Sequence, residues 1–284
     1  MIQEKAMLVN LMVSQWTASK KDKVVSKAVQ QQHGASEKKA GWFNKRLIDP
    51  TALEVLGRLE GRIREFHYKL TLPWGDNGDR ILPATVYMDY VNGLRKLSSE
   101  YEMATSEFVN EYPRLVQEAR TMLGTMYDPA DYPGTDDIAR RFVVKTIFSP
   151  IPDAQDFRVD VGDEAVEEIK KNINDSISSR QHIAIKECWS RLYDVVEKIY
   201  ERLSDPRSIF RDSLIDNARL LCELLPKLNI TNDVNLEMIR SELEKILVNP
   251  EDIRKHKILR AKTSESAKRI LEQMKVWTNT TLEK

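Results

Sequence analysis

The sequence has little of several residue types, and each shortage excludes something. It has two cysteines, Cys188 and Cys222. Two thiols cannot make a disulfide framework. Each sits in an apolar helical pattern and reads as a buried, reduced thiol, as expected in a reducing cytosol. Glycine is scarce, at ten residues in 284. There is no Gly-rich phosphate loop and no dinucleotide fingerprint, which argues against an autonomous NTPase or dinucleotide enzyme. The four histidines, His33, His67, His182 and His256, are scattered. No Cys/His spacing suggests zinc, and no metal or cofactor is expected. Long apolar runs are missing, so no membrane span is expected. The run from Ala6 to Val13 is broken by Asn10 and lacks a basic lead and a small-residue cleavage site, so no signal peptide is expected. Net charge is absent too: 44 basic side chains cancel 44 acidic ones.

What is present is mostly helical periodicity. Asp49-Pro50 is a helix start, with a capping carboxylate and a proline whose missing N–H costs nothing there. Leu53, Leu56, Leu59, Ile63, Phe66 and Leu70 then follow at steps of three and four, one apolar stripe. Residues 72–83 read as a turn-rich loop around Trp74 and Asn77-Gly78. A second helix runs from Pro83 past Tyr90, Leu94, Tyr101 and Phe108, with Pro113 expected to kink or restart it. Phe142 to Phe148 is the best strand candidate, and Asp156 to Val161 its expected antiparallel partner. From Asp163 the pattern is helical again, with an interruption expected at Ser176–Ser179 and new starts at Asp205-Pro206, Asn232 and Asn249-Pro250. The expected fold is mainly α: a multi-helix bundle with long helices and at most one small β-hairpin near 142–161. Three segments are expected: a basic, aromatic-containing stretch over 1–48, a helical domain with the Trp74 loop over 49–150, and a C-terminal helical domain over 151–284.

Charge is balanced overall and segregated locally. Residues 1–48 carry nine bases against three acids, a balance of +6. Residues 153–168 carry seven acids against Arg158, a balance of −6, and residues 251–269 stand at +4. Segregated charge lets a neutral protein attract phosphate. In the first segment Trp42-Phe43 closes a lysine run, with a polar stretch, Gln30 to Ser36, read as flexible. Cations meet backbone phosphates and rings stack on exposed bases, the chemistry of single-stranded nucleic-acid binding. The candidate binding residues are Lys20, Lys21, Lys23, Lys38, Lys39, Trp42, Phe43, Lys45, Arg46, Trp74 and Arg80. Trp74, between Pro73 and Gly75, reads equally well as a loop anchor.

Enzymatic readings are weaker. Asp76, Asp79 and Asp89 surround the Trp74 loop, and clustered carboxylates can hold Mg²⁺ for a nuclease. No second motif supports this, and Asp76-Asn-Gly-Asp79 is more simply a turn. A lone His67 on a helix is usually structural. No nucleophile elbow is present, and no catalytic residue is assigned.

Several local motifs carry a resemblance. They are Ser19-Lys-Lys-Asp-Lys-Val-Val-Ser26, His33-Gly34-Ala35, Ala40-Gly-Trp-Phe-Asn-Lys45, Phe66-His-Tyr68, Thr71-Leu-Pro-Trp-Gly-Asp76 and Arg80-Ile-Leu-Pro83. Over roughly residues 8–160 the chain resembles an uncharacterised family of tailed-phage and mobile-element proteins. The resemblance implies a phage or prophage setting among replication and recombination genes, sometimes beside an AAA+ ATPase. It supplies no catalytic residues.

The expected function is therefore a non-enzymatic, phage-type single-stranded DNA-binding protein acting in DNA replication or recombination in the bacterial cytoplasm. Its expected partners are single-stranded DNA and an AAA+ ATPase or recombination protein, with self-assembly through the helical segments 84–127 and 162–204 left open. The alternative is a helical adaptor for such an ATPase, or an inhibitor of a host factor, docking through helix faces and the acidic 153–168 segment.

Overall fold

The computed structural model describes residues 2–36, 40–157, 159 and 162–282, with side chains to Lys275. The elements run α1 (Ile2–Lys5), β1 (Ala6–Ser14), β2 (Ser19–Asp22), α2 (Lys23–Gln32), β3 (Phe43–Arg46), α3 (Glu54–Leu70), β4 (Leu72–Pro73), β5 (Asp79–Pro83) and α4 (Tyr87–Leu123). They continue with α5 (Thr135–Ala139), β6 (Val143–Ser149), α6 (Asp163–Ser204), α7 (Ser213–Leu228), α8 (Val234–Ile246), α9 (Pro250–Lys255) and α10 (Lys257–Leu282). The fold is mainly α, as the periodicity predicts, and carries small antiparallel strand pairings. No helix among the described residues is long and apolar enough to cross a membrane.

The strands depart from expectation. β1, β4, β5 and β6 form one sheet in the order β4-β5-β1-β6, and β2 pairs with β3. The apolar run that opens the chain is thus a strand flanked on both sides. Its register against β5 runs from Ala6 opposite Pro83 to Asn10 opposite Asp79. The second half of the expected loop is β5 itself. β6 is the predicted strand, but its neighbour is β1. Residues 154–156 form a 3₁₀ turn, and Arg158, Asp160 and Val161 of the expected partner lie outside the described residues.

The helices are longer than their punctuation suggests. α4 continues through Pro113 and α6 through Ser176–Ser179. Asn249 caps α9 by accepting from the Glu251 N–H, as expected. The cap of α8 is Asp233 instead of Asn232, accepting from the N–H groups of Asn235 and Leu236. The segment after Asp205-Pro206 stays a loop until Ser213.

The chain divides into two compact units, each assembled from separated stretches. The first comprises Met1–Asn10, Tyr68–Tyr90 and Ile147–Lys284, and the second Leu11–His67 and Val91–Thr146. These groupings do not follow the 1–48, 49–150 and 151–284 segments.

In the first unit α6, α7, α8 and α10 pack around Leu192, Val196, Ile199, Ile215, Leu225, Leu228, Ile239 and Leu243, all fully or nearly buried. Cys188 and Cys222 are buried free thiols there. Burial pushes them up to about 12 and about 11, so both stay protonated and unreactive. Arginines close two helix ends in this unit. A helix leaves its last four carbonyls without intrahelical partners. Arg191 donates to the carbonyls of Tyr68, Lys69 and Thr71 at the end of α3. Arg260 does the same for α6, donating to Arg202, Leu203, Asp205 and Ser208.

The second unit is built on the α3 stripe and the inner face of α4. Leu56, Leu59 and Ile63 are buried, as are Tyr101, Phe108, Tyr112 and Leu115. Trp16 joins this core, with ring centroids 5.6 Å from Tyr112 and 6.4 Å from Phe108. Gly93 marks a close approach: a Cβ there would collide with the Phe66 ring. Gly57 and Gly61 on α3 face open space. Their signs should therefore differ. Gly57→Ala and Gly61→Ala each should stabilise by roughly 0.5–1 kcal/mol through helix propensity. Gly93→Ala should lose about 1 kcal/mol net, because overpacking outweighs that gain. Urea denaturation of the three variants measures this, and a stabilised Gly93→Ala would refute the collision.

Candidate nucleic-acid interface

The segment read as a flexible arm is ordered by specific bonds. Asp22 ends β2 and caps α2, its carboxylate accepting from the Val25 N–H at 2.9 Å. The Ser26 hydroxyl donates to the Asp22 carbonyl and accepts from the Phe43 N–H, joining α2 to β3. The Gln30 amide donates to the Gly41 carbonyl at 2.7 Å. Ser26 and Gln30 are buried for this reason. Gln30–Gln32 thus complete a helix and brace a turn, where the sequence suggests mobile chain.

This brace presents a basic, aromatic surface. The Trp42 indole is 64% exposed, and Phe43 beside it is also exposed. The Lys21 ammonium lies 4.4 Å from the Trp42 ring centroid, a cation–π contact. Lys21, Lys23, Lys27 and Trp42 line a cleft of about 400 Å³ floored by Ser26, Gln30 and Gly41. Lys23 and Lys27 share a helix face at a spacing of four. Arg46 is exposed at the end of β3. Lys27 is the cation that the candidate set omits, and its spacing from Lys23 is the signal that could have found it. Lys38 and Lys39 lie outside the described residues.

Lys45 and Lys20 are placed differently. The two face each other across the β2–β3 pair, where like charges repel. Asp131 resolves the conflict. Its carboxylate, 3% exposed, pairs with Lys20 and lies 2.6 Å from Lys45 Nζ. Lys45 also donates to the Met126 carbonyl at 2.7 Å, and Asp22 stands 3.6 Å away. Burial alone would raise the Asp131 carboxyl, but hydrogen bonds from Lys20 and Lys45 outweigh it and hold the group below the ordinary carboxylate value. The hydrogen bond to Asp131 in turn raises Lys45. Lys45 is therefore a buried structural cation and leaves the set of phosphate contacts. Lys20 keeps half its side chain exposed.

Trp74 and Arg80 belong to the other unit and have work of their own. Trp74 is buried, with the Arg180 guanidinium 5.0 Å from its ring centroid and donating to its carbonyl. It packs as a loop anchor, the sequence reading that stood level with stacking, and is only 7% exposed. Arg80 donates to the Thr71 hydroxyl at 2.7 Å and to the Thr71 carbonyl at 3.1 Å, and lies over the Tyr68 ring. Burial, then the nearby Arg191 charge, lowers its pKa. Around the same loop Asp79 accepts from the Asn10 and Asn77 amides, and Asp89 pairs with Lys227 at 3.1 Å. Among the described residues no three His, Cys, Asp or Glu side chains gather as a metal site.

These features define an α-rich protein whose smaller unit carries a braced strand–helix element with exposed basic and aromatic side chains. The chain belongs to the family described as "Protein of unknown function (DUF3150)", whose model matches residues 3–203. Comparison with curated proteins and with solved structures finds no match.

Proposed function

We propose that the protein binds single-stranded nucleic acid, as a non-enzymatic DNA-binding protein of replication or recombination in a phage or mobile-element setting. Lys21, Lys23, Lys27 and Arg46 neutralise phosphates, and Trp42 stacks a base. The observation that carries this reading is the exposed Trp42 indole set among three lysines on a braced, pre-formed surface. Rigid aromatic area and fixed cations suit a flexible strand, whose bases are free to stack and whose phosphates follow any path. Duplex bases, already stacked, have less to gain.

The test is fluorescence anisotropy with a labelled, unstructured single strand, compared with duplex at two salt concentrations. Trp42→Ala should weaken single-strand binding roughly 5- to 150-fold, the loss of one stacking platform at about 1–3 kcal/mol. Removing Lys21, Lys23 and Lys27 together should flatten the salt slope by about 0.7 per lost phosphate contact. Trp42 is the exposed tryptophan among those whose side chains are described, so intrinsic fluorescence should quench on binding. An unchanged affinity for Trp42→Ala would remove the surface from the account.

A second reading rests on the other unit. Trp74, Pro152, Ile169, Ile173, Ile177 and Arg180 line a cleft of about 380 Å³ beside the acidic start of α6. An adaptor for an AAA+ ATPase would use such a face. A stable complex in a pull-down, with no nucleic-acid binding, would favour it.

A further inference from the structure

Successive strand residues point to opposite faces. Lys21 therefore serves the Trp42 cleft while Lys20 turns away from it, into a separate cleft in the same unit. That second cleft has a volume of about 570 Å³ and is lined by Trp16, Leu47, Tyr132 and Pro133 on its apolar side. Lys20, Arg140 and Arg141 line it as cations, with Ser19, Asp131 and Asp137. Two features prepare it for a ligand. The Tyr132 ring is fixed, because its hydroxyl donates to the Leu47 carbonyl at 2.7 Å and its face meets Tyr127 at 5.2 Å. The carboxylate at the floor is neutralised, because Asp131 is shared by two ammonium groups. The arginines are less engaged. Arg140 is 3.9 Å from Asp137 with both side chains exposed, a surface pair of little strength. The Arg141 guanidinium makes no hydrogen bond among the described residues.

We propose that this cleft binds a nucleotide through a 5′-phosphate, with Arg140, Arg141 and Lys20 on the phosphate and the base against Tyr132 and Pro133. Guanidinium forks match phosphate oxygens in pairs, which a purely apolar cleft could not offer. The volume falls in the range of small-ligand sites, roughly 300–1,000 Å³. The ligand is either a free nucleoside monophosphate or the phosphorylated end of a strand. The inference does not depend on the Trp42 surface.

The experiment titrates the full chain, by calorimetry, with adenosine 5′-monophosphate, adenosine and inorganic phosphate. Two trinucleotides, one 5′-phosphorylated and one with a free 5′-hydroxyl, complete the series. The 5′-phosphorylated ligands should bind at least about tenfold more tightly than their phosphate-free counterparts. Binding of the monophosphate would identify a free nucleotide as sufficient, and binding of the phosphorylated trinucleotide alone a strand end. Arg140→Gln with Arg141→Gln should weaken binding by at least about tenfold, and Arg140→Lys with Arg141→Lys should recover only part of it. Both arginines are exposed, and thermal melting confirms that the variants fold. No binding up to millimolar ligand, indifference to the phosphate, or full affinity in the Gln variant would overturn the proposal.

Discussion

Asp131→Ala should destabilise the second unit by about 3–5 kcal/mol, the usual consequence of leaving a buried charge without its partner. That is a large part of the roughly 5–15 kcal/mol that holds a typical domain together. The cause is Lys45, whose side chain is only 8% exposed and which would keep its charge with Asp22 alone at 3.6 Å. The like-charged Lys20 across the strand pair would add repulsion. Replacing the pair together, Lys45→Met with Asp131→Leu, should restore most of the loss, because apolar side chains of similar volume need no counter-charge. If the double variant is as unstable as Asp131→Ala, the account is wrong.

The same cluster fixes a pH dependence. The folded Asp131 pKa lies below its ordinary value, so its contribution is present above about pH 4 and is lost as the pH falls through the folded value. Lys45 is raised, so its contribution is complete below about pH 10 and is lost as the pH climbs through its folded value. The stability gap between wild type and Asp131→Asn should therefore be widest near neutrality and narrow toward both extremes. Urea denaturation across that range, followed by the near-ultraviolet signal of buried Trp16, reads it directly.

Arg260→Ala should cost about 3 kcal/mol in the first unit, because one guanidinium satisfies four carbonyls and hydrogen bonds to charged groups are worth roughly 1.5–3 kcal/mol each without being additive. Nη2 lies 2.6–2.7 Å from three of these carbonyls, so its two N–H groups are shared among them. The side chain also lies 5.7 Å from the Phe210 ring centroid. Arg260→Lys keeps the charge but not the planar fork and should fall between the two. Helical circular dichroism during denaturation separates them. Equal stability of the Lys variant and the wild type would mean that the charge, and not the geometry, closes α6.

The helices were legible because their apolar residues repeat at steps of three and four, as at Leu56, Leu59 and Ile63. The Asn249-Pro250 start was legible because capping chemistry is local. β1 was not, because a short apolar run interrupted at Asn10 does not tell a strand from a buried helical segment by periodicity alone. Its partner β5 begins 65 residues after the end of β1, beyond any local signal. The basic surface was half legible. Residue type marked Lys21, Lys23, Trp42 and Phe43 correctly as exposed. It misplaced Lys45 and left Trp74 open between stacking and anchoring, because the surroundings of both depend on distant residues. Asp131 lies 111 residues beyond Lys20, and Arg180 lies 106 residues beyond Trp74. A charge or ring is assigned to surface or interior by its partner, and these partners come from elsewhere in the chain.

The division of the two units has a consequence for synthesis. The second unit is complete once Thr146 has left the ribosome, because all its residues lie between Leu11 and that point. The first unit is not, because Met1–Asn10 and Tyr68–Tyr90 belong with Ile147–Lys284. The opening segment, Met1–Asn10, can pair with β5 early, but its unit is whole only after residues beyond 147 have been made. Nascent chains stalled shortly after residue 146 should hold a protease-resistant second unit, while Leu8 and Val9 remain open to chaperones.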